Sequence, residues 1–500
     1  MISVANGATL NGIEALRVVV EIDLTKGQHD FTLVGLADKA VDESRVRVRS
    51  AIRNSGLHFP FDRVICSLAP GDLRKEGPLL DLPIALAVLA SQDTVPKSEL
   101  KDTVALGELG LDGQLRPVDG ALNAALMARD LGYKRLIVPK SNAAEAAIVP
   151  GLEVYGCSSL IEAVELLNGS PQLPFDIKEA VRAKPPEWPV DFSDIKGQRT
   201  AIRALEVAAA GGHNVLMVGP PGSGKTMLAR RLPTILPPLE LEESIEVTRI
   251  YSSSGKKGTI EGLMWERPFR SPHHTASYAA IVGGGKIPKP GEISLAHLGV
   301  LFMDEMPEFD RDVLEALRQP LEDGVATISR VQSTMEFPAE CMLIGAMNPC
   351  PCGLKGLPEA QCVGAGPCER YGGKISGPLR DRIDIHLVVP RLAPEELMNM
   401  APGESSDAIR ERVLAARARQ RERYGTPRTN SKMTPREIRD IIELDAAAQE
   451  YIKVASARLN LSARVFDRIL KVGRTIADLA GSPNVTERHL KEAVQYREWV

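Results

Sequence analysis

Aromatic residues are scarce in this chain: Phe, Tyr and Trp together make up 4% of its 500 residues. Any core must therefore rest on Leu, Ile, Val and Ala. No apolar run approaches the roughly 18 residues that a helical bilayer span requires. A strong charge imbalance is also missing, since 61 Lys+Arg stand against 65 Asp+Glu for a net charge of −4. That balance argues against a uniformly basic surface and leaves a local basic channel open. The seven cysteines are too few for a disulfide-stapled secreted module, and four crowd between Cys350 and Cys368. Such usage is expected of a reducing, cytoplasmic compartment. The opening segment has no basic stretch feeding an unbroken apolar run, so no signal peptide is expected. Internal repeats and the composition of collagen or disorder are absent as well. What remains is 44% hydrophobic and 25% charged residues, as in ordinary globular proteins. The length suits about three domains.

Residues 1–170 mix strand-like runs (Leu16–Ile22, Arg63–Leu68, Leu136–Val138) with helical ones (Val41–Asn54, Leu82–Ala90, Leu122–Leu131, Leu160–Leu167), which predicts an α/β domain. Residues 171–191 read as a linker, with Pro171, Pro174, Pro185, Pro186 and Pro189. Over 192–393, bounded apolar runs at Asn214–Val218, Val300–Met303, Cys341–Ala346 and Ile385–Val388 predict a mostly parallel sheet covered on both faces. From Pro394 to Val500 the chain reads as helical and arginine-rich.

Gly219, Pro220, Pro221, Gly222, Ser223, Gly224, Lys225 and Thr226 fit G-x-x-x-x-G-K-[ST], between a strand at Val215–Val218 and a helix from Met227. Backbone N–H groups of such a loop converge on ATP phosphates at a helix N-terminus. Lys225 then reaches the β- and γ-phosphates and the Thr226 hydroxyl binds Mg²⁺. Val300–Met303 ends in Asp304, suited to the Mg²⁺ shell, and Glu305, suited to orienting or deprotonating water.

With these elements the chain resembles the AAA+ ATPases, in the branch of magnesium chelatase and the MCM helicases, from about Phe192 onward. The resemblance makes Cys341–Asn348 a sensor-1 strand, with Asn348 polarising water or γ-phosphate. It makes Ser376–Asp384 the arginine-finger motif, with Arg382 as the finger and Arg380 as second choice, residues 394–500 a C-terminal helical lid, and Leu461-Ser-Ala-Arg464 the sensor-2 motif of that lid, with Arg464. The long stretch between Thr226 and Asp304 resembles the helix-2 insert at about 250–295, holding Arg270–Ser277 and Gly283–Lys286. Ala326–Phe337, with Arg330, alternates like a hairpin and resembles the pre-sensor-1 hairpin, which in the helicases points into the pore. His273 and His274 suit a pore-facing or loop-packing role better than metal ligation.

In the first domain, Leu68–Pro78, Asp81–Leu86 and Gly107–Pro117 resemble the Lon-protease fold, also found at the C-terminus of RadA. Leu79 and Leu122 occupy the apparent serine and lysine positions, so the domain is read as a non-proteolytic scaffold or DNA-engaging module. Arg74 and Lys75 are its phosphate-contact candidates, with plain surface charge as the alternative. Cys350, Cys352, Cys362 and Cys368 suit structural Zn²⁺ first, then unligated thiols, then redox chemistry. Six arginines between Arg410 and Arg423 form either a phosphate-facing surface or a salt-bridged solvated face. Over essentially its whole length the chain resembles the YifB/ComM family of magnesium-chelatase-like proteins. The resemblance implies a hexameric, ATP-driven DNA helicase that promotes branch migration during natural transformation. A chelatase-type metal-insertion subunit, a Lon-like protease and a protein remodeller are the alternatives, the protease disfavoured by Leu79 and Leu122.

Overall fold

The structure, a computed structural model, describes residues 2–27, 30–36, 38–75, 77–176, 178, 188–255, 262–285, 288–329, 334–352, 368, 371–392, 402–459 and 461–497. Of the residues singled out above, Pro185, Pro186, Lys286, Arg330, Cys362, Pro394 and Val500 lie outside that set.

The N-terminal part is built on a mixed seven-stranded sheet. Its order is Phe31–Val34, Arg63–Ala69, Glu14–Thr25, Ser3–Asn11, Thr103–Ala105, Arg135–Pro139 and Glu153–Cys157. The helix Asp81–Ser91 is apolar nearly all round and is buried from Asp81 to Ala90, as a helix without a polar face must be. Asp81 opens it, and its carboxylate accepts from Arg47 Nε at 2.7 Å, the Leu109 N–H at 3.1 Å and the Ser44 hydroxyl. An anion at a helix N-terminus is favoured by the dipole, so the Asp81-Leu-Pro motif organises the domain from within. Leu79 and Leu122 share one apolar cluster, and neither can serve as nucleophile or base. Lys75 corrects an expectation. It is fully buried with its ammonium on the Pro70 carbonyl, and burial lowers its pKa, so it is no surface contact for phosphate. Arg74 is the exposed member of that pair.

The second sheet is parallel, in the order Phe269–Arg270, Val300–Met303, Met342–Met347, Val215–Val218, Ile385–Val388. Alternate side chains of a strand point to opposite faces. Val215 and Met217 accordingly join a cluster shared with the C-terminal helices. Leu216 and Val218 join another with Met303, Met306 and Leu343. Burial on both faces is why these strands read as unbroken apolar runs. The hairpin expected before sensor 1 forms between Val325–Ser329 and Thr334–Pro338.

The C-terminal region is helical, with its longest helices at Ser406–Tyr424 and Ala463–Leu479. Here the arginine-rich run proves to be internal glue, against its reading as a phosphate-facing surface. Arg410 donates to the Thr234 carbonyl at 3.0 Å, Arg417 to that of Ala209 at 2.7 Å, and Arg419 to that of Asp478 at 2.8 Å. Arg412 bridges Glu206 and Glu404, Arg421 pairs with Glu240, and Arg423 pairs with the fully buried Asp478. Removing one partner of a buried pair strands a charge and costs about 3–5 kcal/mol, so the Arg423–Asp478 pair, together with the carbonyl contacts, holds this helix to the helices Arg199–Gly211, Lys225–Ile235 and Ala463–Leu479.

The N-terminal domain docks on the helix Leu241–Ser254. The Gly120 N–H donates to the Ser252 carbonyl at 3.0 Å, and Asn123 Nδ2 to the Arg249 carbonyl at 3.3 Å. The Ser252 hydroxyl donates to Glu145, a buried acid whose pKa burial raises. Lys289 in the insert pairs with Asp119 at 3.2 Å.

Candidate nucleotide-binding site

The loop Gly219–Gly224 joins the strand Val215–Val218 to the helix Lys225–Ile235. Its glycines are dictated by the backbone. A Cβ on Gly219 would lie 2.1 Å from the Val389 carbonyl oxygen, and Gly224 holds φ +89°, a conformation that only glycine adopts freely. Lys225 turns its ammonium back into the loop, donating to the Gly219 and Pro220 carbonyls at 2.7 and 3.1 Å and to Asn348 Oδ1 at 3.3 Å. Burial lowers the Lys225 pKa, opposed by the charges of Asp304 and Glu305.

The Thr226 hydroxyl donates to Asp304 Oδ2 at 2.7 Å. A hydroxyl and a carboxylate side by side form an oxygen donor set that fits a hard divalent cation such as Mg²⁺. Glu305 is held at φ +49°, its N–H donating to Asp304 Oδ1 at 3.0 Å. For a residue other than glycine this conformation stores on the order of 1–3 kcal/mol, and such strain gathers at functional sites. His274, from the insert, places Nδ1 3.7 Å from Glu305 Oε2. Its ring lies 4.2 Å from that of His273, which bonds Thr275 at 2.9 Å. The histidine pair thus packs in its loop and reaches the acidic end of the strand.

Lys225, Thr226, Asp304, Glu305 and Asn348 therefore meet at the C-terminal ends of neighbouring parallel strands, where open α/β sheets bind ligands. Arg382 and Arg464 do not. The Arg382 carbonyl accepts from Asn214 Nδ2 at 3.1 Å, and Asn214 precedes the strand whose far end opens the phosphate loop. About 13 Å of extended chain lies between. The Arg382 guanidinium rests on Glu322 and donates to the Pro378 carbonyl at 2.9 Å. Arg464 is exposed near the start of its helix, one turn before Arg468, which pairs with Asp384 beside Arg382. Arg380 buries its Nε without a hydrogen-bond partner.

Gln198 was not singled out in the sequence. It adopts φ +50° and donates through Nε2 to the Pro390 carbonyl at 2.8 Å and to the Ser223 carbonyl at 3.4 Å. A cavity of about 710 Å³ opens beside it, lined also by Arg199, Ile202, Arg203 and Gly403. Gly197-Gln198 ahead of a helix was the available signal, and it resembles any helix start. Below the sensor strand, the Sγ atoms of Cys350, Cys352 and Cys368 lie within 4.8 Å of one another, Cys350 being buried. A tetrahedral zinc–thiolate cage has S···S edges of about 3.8 Å, so the three fit a soft cation.

A phosphate loop, an acid-tipped strand and a polar sensor on one parallel sheet define a P-loop ATPase core of the AAA+ type. Models of the magnesium chelatase subunit ChlI match residues 20–142, 191–397 and, for the C-terminal part of that subunit, 403–497. The chain is 44% identical over 498 residues to the competence protein ComM of Haemophilus influenzae, covering 98% of this chain and 96% of that protein. It is 41% identical over 503 residues to the uncharacterized protein YifB of Escherichia coli K12, covering 99% and 97%. A shorter likeness, 33% over 109 residues and 22% and 23% of the two chains, joins it to the DNA repair protein RadA of Aquifex aeolicus. The chain belongs to the ComM/YifB family of magnesium-chelatase-like AAA+ proteins, a membership that implies ATPase activity. Among the described residues, no helix is long and apolar enough to cross a membrane.

Proposed function

We propose that this chain assembles into a hexameric ring that couples ATP hydrolysis to helicase movement on branched DNA, promoting branch migration of recombination intermediates. The observation that carries the ring is the position of Arg382, at the end of the sheet remote from its own phosphate loop. An arginine there serves catalysis by reaching the nucleotide of a neighbouring subunit. The relatives named for competence and for DNA repair support DNA as the partner.

In this reading the loop N–H groups and Lys225 hold the phosphates, and the cavity beside Gln198 receives the base and ribose. Thr226 and Asp304 hold Mg²⁺, which when bound neutralises charge on the β- and γ-oxygens. Glu305 orients the attacking water and accepts its proton, and Asn348 fixes the water or γ-phosphate. Arg382 from the adjacent subunit meets the charge that develops on the transferred phosphoryl group. With the arginines of residues 410–423 bonded within the chain, the hairpin Val325–Ser329/Thr334–Pro338 is the surface that meets DNA, through backbone contacts of low sequence specificity.

Adding single-stranded or forked DNA should stimulate ATP hydrolysis, with binding that weakens as salt rises. If DNA neither stimulates nor binds in a salt-sensitive way, the helicase reading is wrong and a chelatase-like or protein-remodelling ATPase takes its place.

The cysteines are proposed to hold structural Zn²⁺, with Cys362 as fourth ligand, keeping sensor and finger in register. Purified protein should carry about one zinc per chain, measured by elemental analysis. A content well below one overturns the site.

A further inference from the structure

The backbone that carries Arg382 is gripped by the C-terminal helices of its own chain. Arg468, on the helix Ala463–Leu479, pairs with the Asp384 carboxylate and donates to the Arg382 carbonyl at 3.2 Å. Asp384 is 3% exposed and also accepts from the Asn214 N–H and His213 Nδ1, each at 3.2 Å. Burial alone would raise its pKa, yet Arg468 and His213 hold it far below the usual carboxylate range. Two more contacts come from the chain's last described turn: Arg497 donates to the Ile383 carbonyl, and the Tyr496 carbonyl accepts from the His386 N–H at 2.9 Å. The backbone on both sides of Asp384 is thereby bolted to the lid. The Arg382 guanidinium rests on Glu322, a half-exposed carboxylate that a neighbour's phosphates can displace.

We propose that Arg468 is a positioning residue for the finger, so that the lid of one subunit sets the arginine offered to the next subunit's ATP. This rests on the reading of Arg382 as a finger acting on a neighbour. When the lid helix shifts, Arg468 carries the Arg382 backbone with it, and a displacement of about 1 Å at a reacting group is worth about 10²-fold in rate. Nucleotide occupancy felt by one lid is thus passed to the adjacent site through this pair.

The test compares Arg468→Gln with Arg382→Ala, alone and mixed with Glu305→Gln subunits, which cannot activate water but still donate a finger. Arg468→Gln should lower turnover by about 10²-fold with binding of a fluorescent ATP analogue unchanged. Mixing it with Glu305→Gln should raise hydrolysis above the weighted sum of the two separate assemblies. Arg468→Lys, which keeps the charge and loses the second contact, should fall between; if Arg468→Gln does not assemble, it replaces that variant in the mixture. Wild-type turnover in Arg468→Gln overturns the proposal. So does rescue of Arg382→Ala without rescue of the Arg468 variant, which would leave Arg468 a purely structural residue. If Arg382→Ala is itself not rescued, the finger reading fails and this proposal falls with it.

Discussion

Arg382→Ala should lower ATP turnover by about 10³- to 10⁵-fold, the range that an arginine finger supplies, while leaving ATP binding nearly intact. The split follows from geometry. The Arg382 backbone adjoins Asn214, one strand length from Gly219, so its loss leaves the chain's own phosphate loop untouched. Steady-state hydrolysis beside equilibrium binding of a fluorescent analogue separates the two effects. Turnover per wild-type chain should also climb with protein concentration, as a site completed only by a neighbouring subunit requires. Partial recovery on mixing with Glu305→Gln subunits is expected, and its absence counts against a shared site. Arg380→Ala is the internal control. A larger loss there than in Arg382→Ala would move the finger to Arg380.

Lys225→Ala should abolish both nucleotide binding and hydrolysis, with a loss of at least about 10²–10³ in turnover. The ammonium is held by the Gly219 and Pro220 carbonyls and by Asn348. Phosphate oxygens are its natural replacement partners, because a buried cation gains more from an anion than from neutral carbonyls. ATP with Mg²⁺ should raise the melting temperature of the wild type through preferential binding to the folded state, and should not raise that of Lys225→Ala. DNA-stimulated hydrolysis should vanish with it. Retention of ATP-dependent stabilisation in the variant would place the nucleotide elsewhere. Lys225→Ala subunits keep Arg382, so they should still activate Arg382→Ala subunits in a mixture, which separates loss of the site from loss of the fold.

The proposed nucleotide site was legible in the sequence where its parts are contiguous. Gly219–Thr226 and Val300–Glu305 each carry their chemistry within one strand-to-loop transition, and a parallel sheet brings the C-terminal ends of its strands to one edge. Asn348 follows the same logic. Gln198 and His274 were not legible as neighbours of the site: their partners, Ser223 and Glu305, belong to other segments, and neither residue type is diagnostic by itself.

Charge runs were the least informative feature. From composition, the arginines of residues 410–423 were equally suited to DNA phosphates and to a solvated, salt-bridged face. The fold decided for pairing: Arg412 meets Glu206, and Arg417 meets the Ala209 carbonyl, both about 200 residues away in the chain. Lys75 illustrates the same limit, because a lysine in a Gly- and Pro-rich loop gives no local sign that its ammonium will be buried on a carbonyl. By itself, then, the sequence determined the α/β class, the phosphate loop, the acidic strand end and the strand that leads to Asn348, since backbone conformation and side-chain chemistry coincide there over a few residues. Only the tertiary structure decided which cations remain available, that Arg382 stands away from its own site, and that the lid grips it. Those outcomes depend on partners far apart in the chain, which meet only once the sheet and the lid have packed.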